Sequence, residues 1–237
     1  MRALSNNDFL EVWQGGARLH ALDRALLALR AAFPETSYES LADWPLGRRN
    51  QALAELRCAC FGTQREGWVA CPGCGEKLEL QMDARELAAP GYAAAATPVV
   101  FKDAAFRLPT SRDLAAAARE PDARSGAMRL IEACRIKPAD RAAVPAWSDE
   151  DIDAVGEQMA LADPSAETLL TLSCAACGNQ WEESLDITDF LWAEVEGRAR
   201  RLLFEVHTLA TAYGWSESEI LALSEIRRSS YLEMVEG

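Results

Sequence analysis

Two cysteine pairs of one spacing, Cys71-Pro72-Gly73-Cys74 and Cys174-Ala175-Ala176-Cys177, constrain this chain more than any other feature. Each is trailed by a glycine, Gly75 or Gly178. After the first pair, "GEKLELQM" alternates polar and apolar residues and reads as a strand. Counted from the first cysteine of each pair, glutamate recurs at Glu79 and Glu182, an apolar residue at Met82 and Leu185, and aspartate at Asp83 and Asp186. An acidic–apolar step follows, Glu86-Leu87 in one copy and Asp189-Phe190 in the other. The pattern is a degenerate internal repeat of strand, cysteine knuckle, strand and turn to helix.

Four thiolates suit a tetrahedral zinc site with metal–sulfur distances of roughly 2.3 Å. A glycine after the second cysteine suits the left-handed backbone of such a knuckle. Other readings compete. A lone C-x-x-C can be a redox dithiol or a chance pair, but two matched copies argue against chance. A redox pair of the thioredoxin type would open a helix, whereas here a strand follows. A disulfide framework fits an exported chain, and "MRALSNNDFLEVW" lacks the basic start and apolar core of a leader, so a cytoplasmic location is expected. Four cysteines could also hold an iron–sulfur centre, though paired hairpins favour zinc. Cys71, Cys74, Cys174 and Cys177 are therefore the expected zinc ligands, while Cys58, Cys60 and Cys134 lie in helical contexts and read as small apolar groups.

A shell closed by four thiolates leaves no position for water or substrate, so the expected zinc is structural. The two histidines, His20 and His207, lie in helical segments away from the cysteines. Closing a loop of about a hundred residues costs roughly 5 kcal/mol. Structural zinc binding is worth about 10–16 kcal/mol. The metal therefore suffices to clamp two remote segments together.

Apolar residues make up 49% of the 237 residues and charged ones 26%, enough for a real core. No apolar run approaches the length of a membrane span. The net charge of −13 argues against a nucleic-acid-binding zinc ribbon, which needs a basic face. Arg48-Arg49 and Arg227-Arg228 are too short to supply one, so protein partners are expected.

Along the chain, Leu19, Leu22, Leu26, Leu29 and Phe33 form a helical stripe that ends at Pro34. A short helix is expected over 38–43 and a longer one from Pro45 to Gly62. After the first hairpin come an Ala/Gly/Pro loop, "AAPGYAAAATP", and two strands in "VVFKDAAFRLP" turning at Lys102-Asp103. Thr110 and Asp113, and Ser148 and Asp151, have the spacing of capped helix starts. A further helix is expected from Asp122 to Arg135. Leu191, Val195, Ala199, Leu202, Val206, Leu209 and Tyr213 form a long stripe stopped by Gly214. Ser216 and Glu219 cap "ESEILALS", and a last helix closes the chain.

The expected fold is α+β, helix-rich, with a small antiparallel zinc-ribbon-like sheet built from both cysteine hairpins and helices from both termini packed around it. One domain is expected over 1–237. Its segments are N-terminal helices over 1–62, the first hairpin and strands over 67–108, a helical insert over 109–165, the second hairpin over 168–186, and C-terminal helices over 187–237. There is no glycine-rich phosphate loop, nucleophile elbow or His/carboxylate constellation.

The C-terminal stretch adds a resemblance. It carries His207, then Tyr213 and Trp215, Glu219, Ile220–Leu223, Arg227, Arg228, Tyr231 and Leu232. In this pattern it resembles the ending of a T-even phage baseplate protein family whose members serve as baseplate hub assembly chaperones. With "LGRRNQALAELR", "CPGCGEKLEL", "LPTSRDLAAAA" and "CAACGNQWEESLDITDFLWAEV", the chain from Phe9 to Val235 is similar to a longer version found in bacterial contractile injection system clusters. The phage members are not defined by the cysteine pairs, so zinc is inferred from this sequence alone.

The resemblance implies a non-enzymatic role in building a baseplate, as an assembly factor for its hub or spike proteins or as a permanent component. Trp215, Arg227, Arg228 and Tyr231 are of the types that dominate binding hot spots. The bland alternative is that the aromatics pack the helical core and the arginines are solvated. A zinc-ribbon adaptor on transcription machinery and a redox or metal-dependent enzyme are the readings from other classes.

Overall fold

The computed structural model describes residues 1–87, 97–136 and 147–236, so residues 88–96 of the Ala/Gly/Pro loop lie outside the described residues. The fold is α+β and helix-rich, with small antiparallel sheets. Four helices open the chain: α1 (Asn6–Gly16), α2 (Ala21–Ala32), α3 (Tyr38–Ala42) and α4 (Leu46–Phe61). The first cysteine hairpin follows as β1 (Gln64–Ala70) and β2 (Lys77–Asp83), leading into the short α5 (Ala84–Leu87).

An insert comprises β3 (Val99–Phe101), β4 (Ala104–Phe106), α6 (Ser111–Ala117), α7 (Ala123–Cys134), β5 (Arg135–Ile136) and α8 (Asp149–Ala162). The second hairpin, β6 (Leu169–Ser173) and β7 (Gln180–Ser184), leads into the long α9 (Ile187–Tyr213). The chain closes with α10 (Glu217–Ala222) and α11 (Glu225–Glu236).

Local chemistry explains most of these boundaries. Ser5, Thr110, Ser148 and Ser216 each form a reciprocal capping box with an acidic residue three positions on, fixing the starts of α1, α6, α8 and α10. Gly214 ends α9 in the left-handed region, and Gly62 ends α4 at φ +83°. His20 is not a helix-interior residue: its Nδ1 accepts from the Leu22 backbone N–H and caps α2. Leu19 accordingly lies outside the stripe and is exposed.

Two apolar cores form among the described residues. The larger gathers α1 to α4 against α9, through residues such as Leu26, Leu29, Leu53, Leu56, Leu191 and Leu202. The smaller packs Val99 and Phe106 against Ile131, Ile152, Val155 and Met159. Strand β4 pairs with β3 on one side and on the other with β5, a strand the sequence reading missed by running the helix through Arg135. They thus belong with α7 and α8 rather than with the first cysteine hairpin. The start of α4 stitches this insert to the main core. Leu46 N–H donates to Pro109 O at 3.0 Å, Gly47 N–H to Asp163 Oδ2 at 2.9 Å, and Asn50 Nδ2 to Ala166 O at 2.9 Å.

The expected single sheet is a pair of separate hairpins. Among the described residues β1 pairs only with β2, and β6 only with β7. The two hairpins meet through the cysteine turns, whose sulfurs converge.

Candidate metal centre

The repeat holds at atomic detail. Glu79 pairs across its hairpin with Trp68, and Glu182 with Thr171; both partners stand three residues before their cysteine. In the first turn Cys71 N–H donates to Glu76 O at 2.8 Å, and Gly75 N–H to Cys71 O at 2.9 Å. In the second, Cys174 N–H donates to Asn179 O and Gly178 N–H to Cys174 O, both at 2.8 Å. Gly75 and Gly178 sit at φ +76° and +72°, where a Cβ is strained, so glycine follows each second cysteine for a steric reason. The repeated aspartates share a task as well. Asp83 Oδ1 accepts from Arg85 N–H at 3.0 Å, and Asp186 Oδ1 from Thr188 N–H at 2.7 Å, each two residues on where the chain turns into a helix.

Both hairpins spring from the α4–α9 pair, which is why they meet. Arg57 of α4 is fully buried and donates Nε and Nη2 to the Glu194 carboxylate of α9 at 2.8 and 3.1 Å. Its Nη1 donates to Gly62 O at 2.6 Å, at the base of the first hairpin. The second hairpin runs directly into α9.

Cys71, Cys74, Cys174 and Cys177 converge, with all four sulfurs within 4.8 Å of one another. Cys71 Sγ lies 3.7 Å from Cys177 Sγ, and Cys74 Sγ 3.7 Å from Cys174 Sγ. A regular tetrahedron with metal–sulfur bonds of about 2.3 Å has an edge of about 3.8 Å, so these separations are those of sulfurs around one ion. They are far beyond a disulfide bond, and all the cysteines are free thiols. The first cysteine of each pair is buried and the second exposed, so the site has an inner and an outer edge.

The outer shell supports the sulfurs. Gly73 N–H donates to Cys71 Sγ at 3.3 Å, and the Asn179 amide lies 4.0 Å from the same sulfur. Burial pushes the Cys71 thiol up, but backbone N–H groups of Cys74 and Gly73 and the neighbouring thiols outweigh it, drawing it down to about 7. The Glu76 N–H favours a Cys74 thiolate, yet crowding by the Cys177, Cys174 and Cys71 thiols pushes that thiol up to about 12. A cation between the sulfurs would favour the thiolate form and offset the crowding that raises Cys74 and Cys177. The four cysteines thus fit a metal ion.

The other cysteines stay apart from this cluster. Cys134 is buried and pushed up to about 12 by burial. Cys60 accepts from Leu4 N–H at 3.3 Å, and burial raises both its thiol and that of Cys58. None has the lowered pKa of a reactive thiol.

The tail residues divide. Tyr213, Trp215 and Tyr231 form one aromatic cluster, with ring centroids 4.7 Å apart for Tyr213–Trp215 and 4.9 Å for Trp215–Tyr231. Arg227 is exposed beside them in sequence. Arg228 requires a correction as a partner contact. It is 1% exposed, and its Nε donates to Glu205 Oε2 of α9 at 2.7 Å, so it secures α11 to α9 and is not presented to a partner. Sequence reading missed it because Glu205 sits within a helical stripe otherwise marked by apolar residues.

Among the described residues no helix is long and apolar enough to cross a membrane. Compared with protein-family models, curated proteins and solved structures, the chain matches none.

Proposed function

We propose that this chain is a non-enzymatic assembly factor for the baseplate hub of a contractile phage tail or injection system, with a zinc ion held by Cys71, Cys74, Cys174 and Cys177. The zinc is structural: it joins two hairpins that share no strand pairing, and its shell is filled by protein sulfur. The observation that carries the partner reading is in the tail. Tyr213, Trp215 and Tyr231, residues of the resemblance, form one partly exposed aromatic cluster of residue types that anchor protein interfaces. A net charge of −13 suits a protein partner in the cytoplasm better than nucleic acid.

Capture of the chain from cells expressing a complete contractile-apparatus gene cluster tests this reading. A hub or spike protein as the main stoichiometric prey supports it, together with absence of the chain from purified assembled particles. Presence in particles at a fixed ratio makes it a permanent component. Tight, salt-sensitive DNA binding would instead support a zinc-ribbon adaptor.

A further inference from the structure

A cavity of about 670 Å³ lies where the insert joins the main core, well within the size of small binding sites. Leu46, Leu130, Ile131, Ile152, Met159 and Ile187 line it, contributed by α4, α7, α8 and α9. It is distinct from the sulfur cluster, none of whose cysteines lines it.

Gly156 in α8 also lines the cavity, one helical turn from both Ile152 and Ala160. A Cβ placed there meets nothing within 4 Å, so the missing side chain leaves the cleft open and not a helix neighbour room to pack. Glycine inside a helix is otherwise unfavourable.

The polar lining is unbalanced. Five carboxylates, of Asp153, Glu157, Asp163, Glu167 and Asp186, face one guanidinium, that of Arg49. Asp153 is ion-paired to Arg124 at 2.9 Å. Arg49 is buried, its N–H groups donate to Ser111 Oγ and Asn50 Oδ1, and it feels the charge of Asp186. Glu157 and Glu167 are exposed and have no ion-pair partner among the described residues. Asp163 is 98% buried, being 2% exposed; Oδ2 accepts from Gly47 N–H, while Oδ1 has no partner. An apolar floor with a carboxylate in its wall and acids at its mouth complements apolar groups that carry positive charge.

We propose that this cleft binds a short segment of a partner protein in which leucine- or isoleucine-type side chains are flanked by lysine or arginine. The choice of a protein occupant rests on the assembly-factor reading; the cleft's chemistry does not.

Two labelled synthetic peptides test it on the full chain by fluorescence anisotropy. They share one Leu-Ile-Leu core, flanked in one by lysines and in the other by glutamates. The lysine peptide is expected to bind at least about tenfold tighter, and Glu157→Gln with Glu167→Gln to reduce that margin below about threefold. Gly156→Phe fills the cleft and is expected to weaken binding at least about tenfold with no loss of thermal midpoint. If that variant is destabilised, Ala160→Phe makes the same test one turn on. Lysine-peptide binding that survives both fillings is attraction to the acidic surface alone and overturns the proposal. So does equal binding of the two peptides, or binding by neither. Such a failure leaves the capture of a hub protein, and hence the assembly-factor reading, unaffected.

Discussion

Glu205 and Arg228 lie 23 residues apart on α9 and α11 and form a buried ion pair at 2.7 Å, with side chains 10% and 1% exposed. The pair fixes where the terminal helix docks, and with it the position of Tyr231 against Trp215. Removing one partner strands a buried charge. Glu205→Ala is therefore expected to lower stability by about 3–5 kcal/mol, whereas Glu205→Leu combined with Arg228→Met is close to neutral. Urea unfolding of the three proteins measures this. Equal losses in the single and double variants would refute a paired charge.

The proposed metal clamp makes a second prediction. Cys177→Ser removes one of four ligands and is expected to release the metal and cost about 3 kcal/mol or more. Cys58→Ser, outside the cluster, is expected to cost less than about 1 kcal/mol. Thermal unfolding with metal analysis of each protein checks both. A Cys177→Ser protein with an unchanged midpoint would show that the clamp is dispensable.

The two knuckle glycines should respond alike. Gly75 and Gly178 have positive φ and open space where a Cβ would go, so alanine meets only the backbone penalty. Gly75→Ala and Gly178→Ala are each expected to cost about 1–2 kcal/mol. Calorimetry decides it, and a neutral result at either site would contradict the left-handed turn.

Acid unfolding carries a signature of the first helix cap. The Arg2 guanidinium, hydrogen-bonded at 2.6 and 2.8 Å, leads the groups that hold the Asp8 carboxyl down to about 2, against a contrary push from burial. The folded value is depressed, so this stabilisation is complete above the unfolded value near 4 and is lost as pH falls towards about 2. After allowance for solvent screening it amounts to about 1 kcal/mol. Asp163 runs the opposite way: burial raises its carboxyl, so its contribution worsens as pH rises through and above the unfolded value. Subtracting the stability profile of Asp8→Asn from that of the wild type between pH 2 and pH 6 isolates the first effect. A flat difference would exclude it.

Much of this architecture was written locally. Capping residues such as Thr110, Ser148 and Ser216 and the stop at Gly214 mark helix ends because their chemistry acts within a few residues. The cysteine repeat foretold which sulfurs gather, since spacing, glycine and capping aspartate recur together. What lay hidden depends on remote partners. Arg228 reads as a surface arginine until Glu205 is brought beside it, and β5 is a strand only because β4 lies alongside. Leu19 followed the helical period, yet His20 caps α2 after it and turns it outward. The cleft beneath Gly156 has no sequence signal, because elements scattered from α2 to α9 make its walls.

X-ray absorption at the zinc edge, on protein purified from cells supplied with zinc, tests the central claim most directly. The account predicts one zinc per chain with four sulfur neighbours at about 2.3 Å and no nitrogen or oxygen in the first shell. Protein that carries no metal, or a shell containing nitrogen or oxygen, would contradict it.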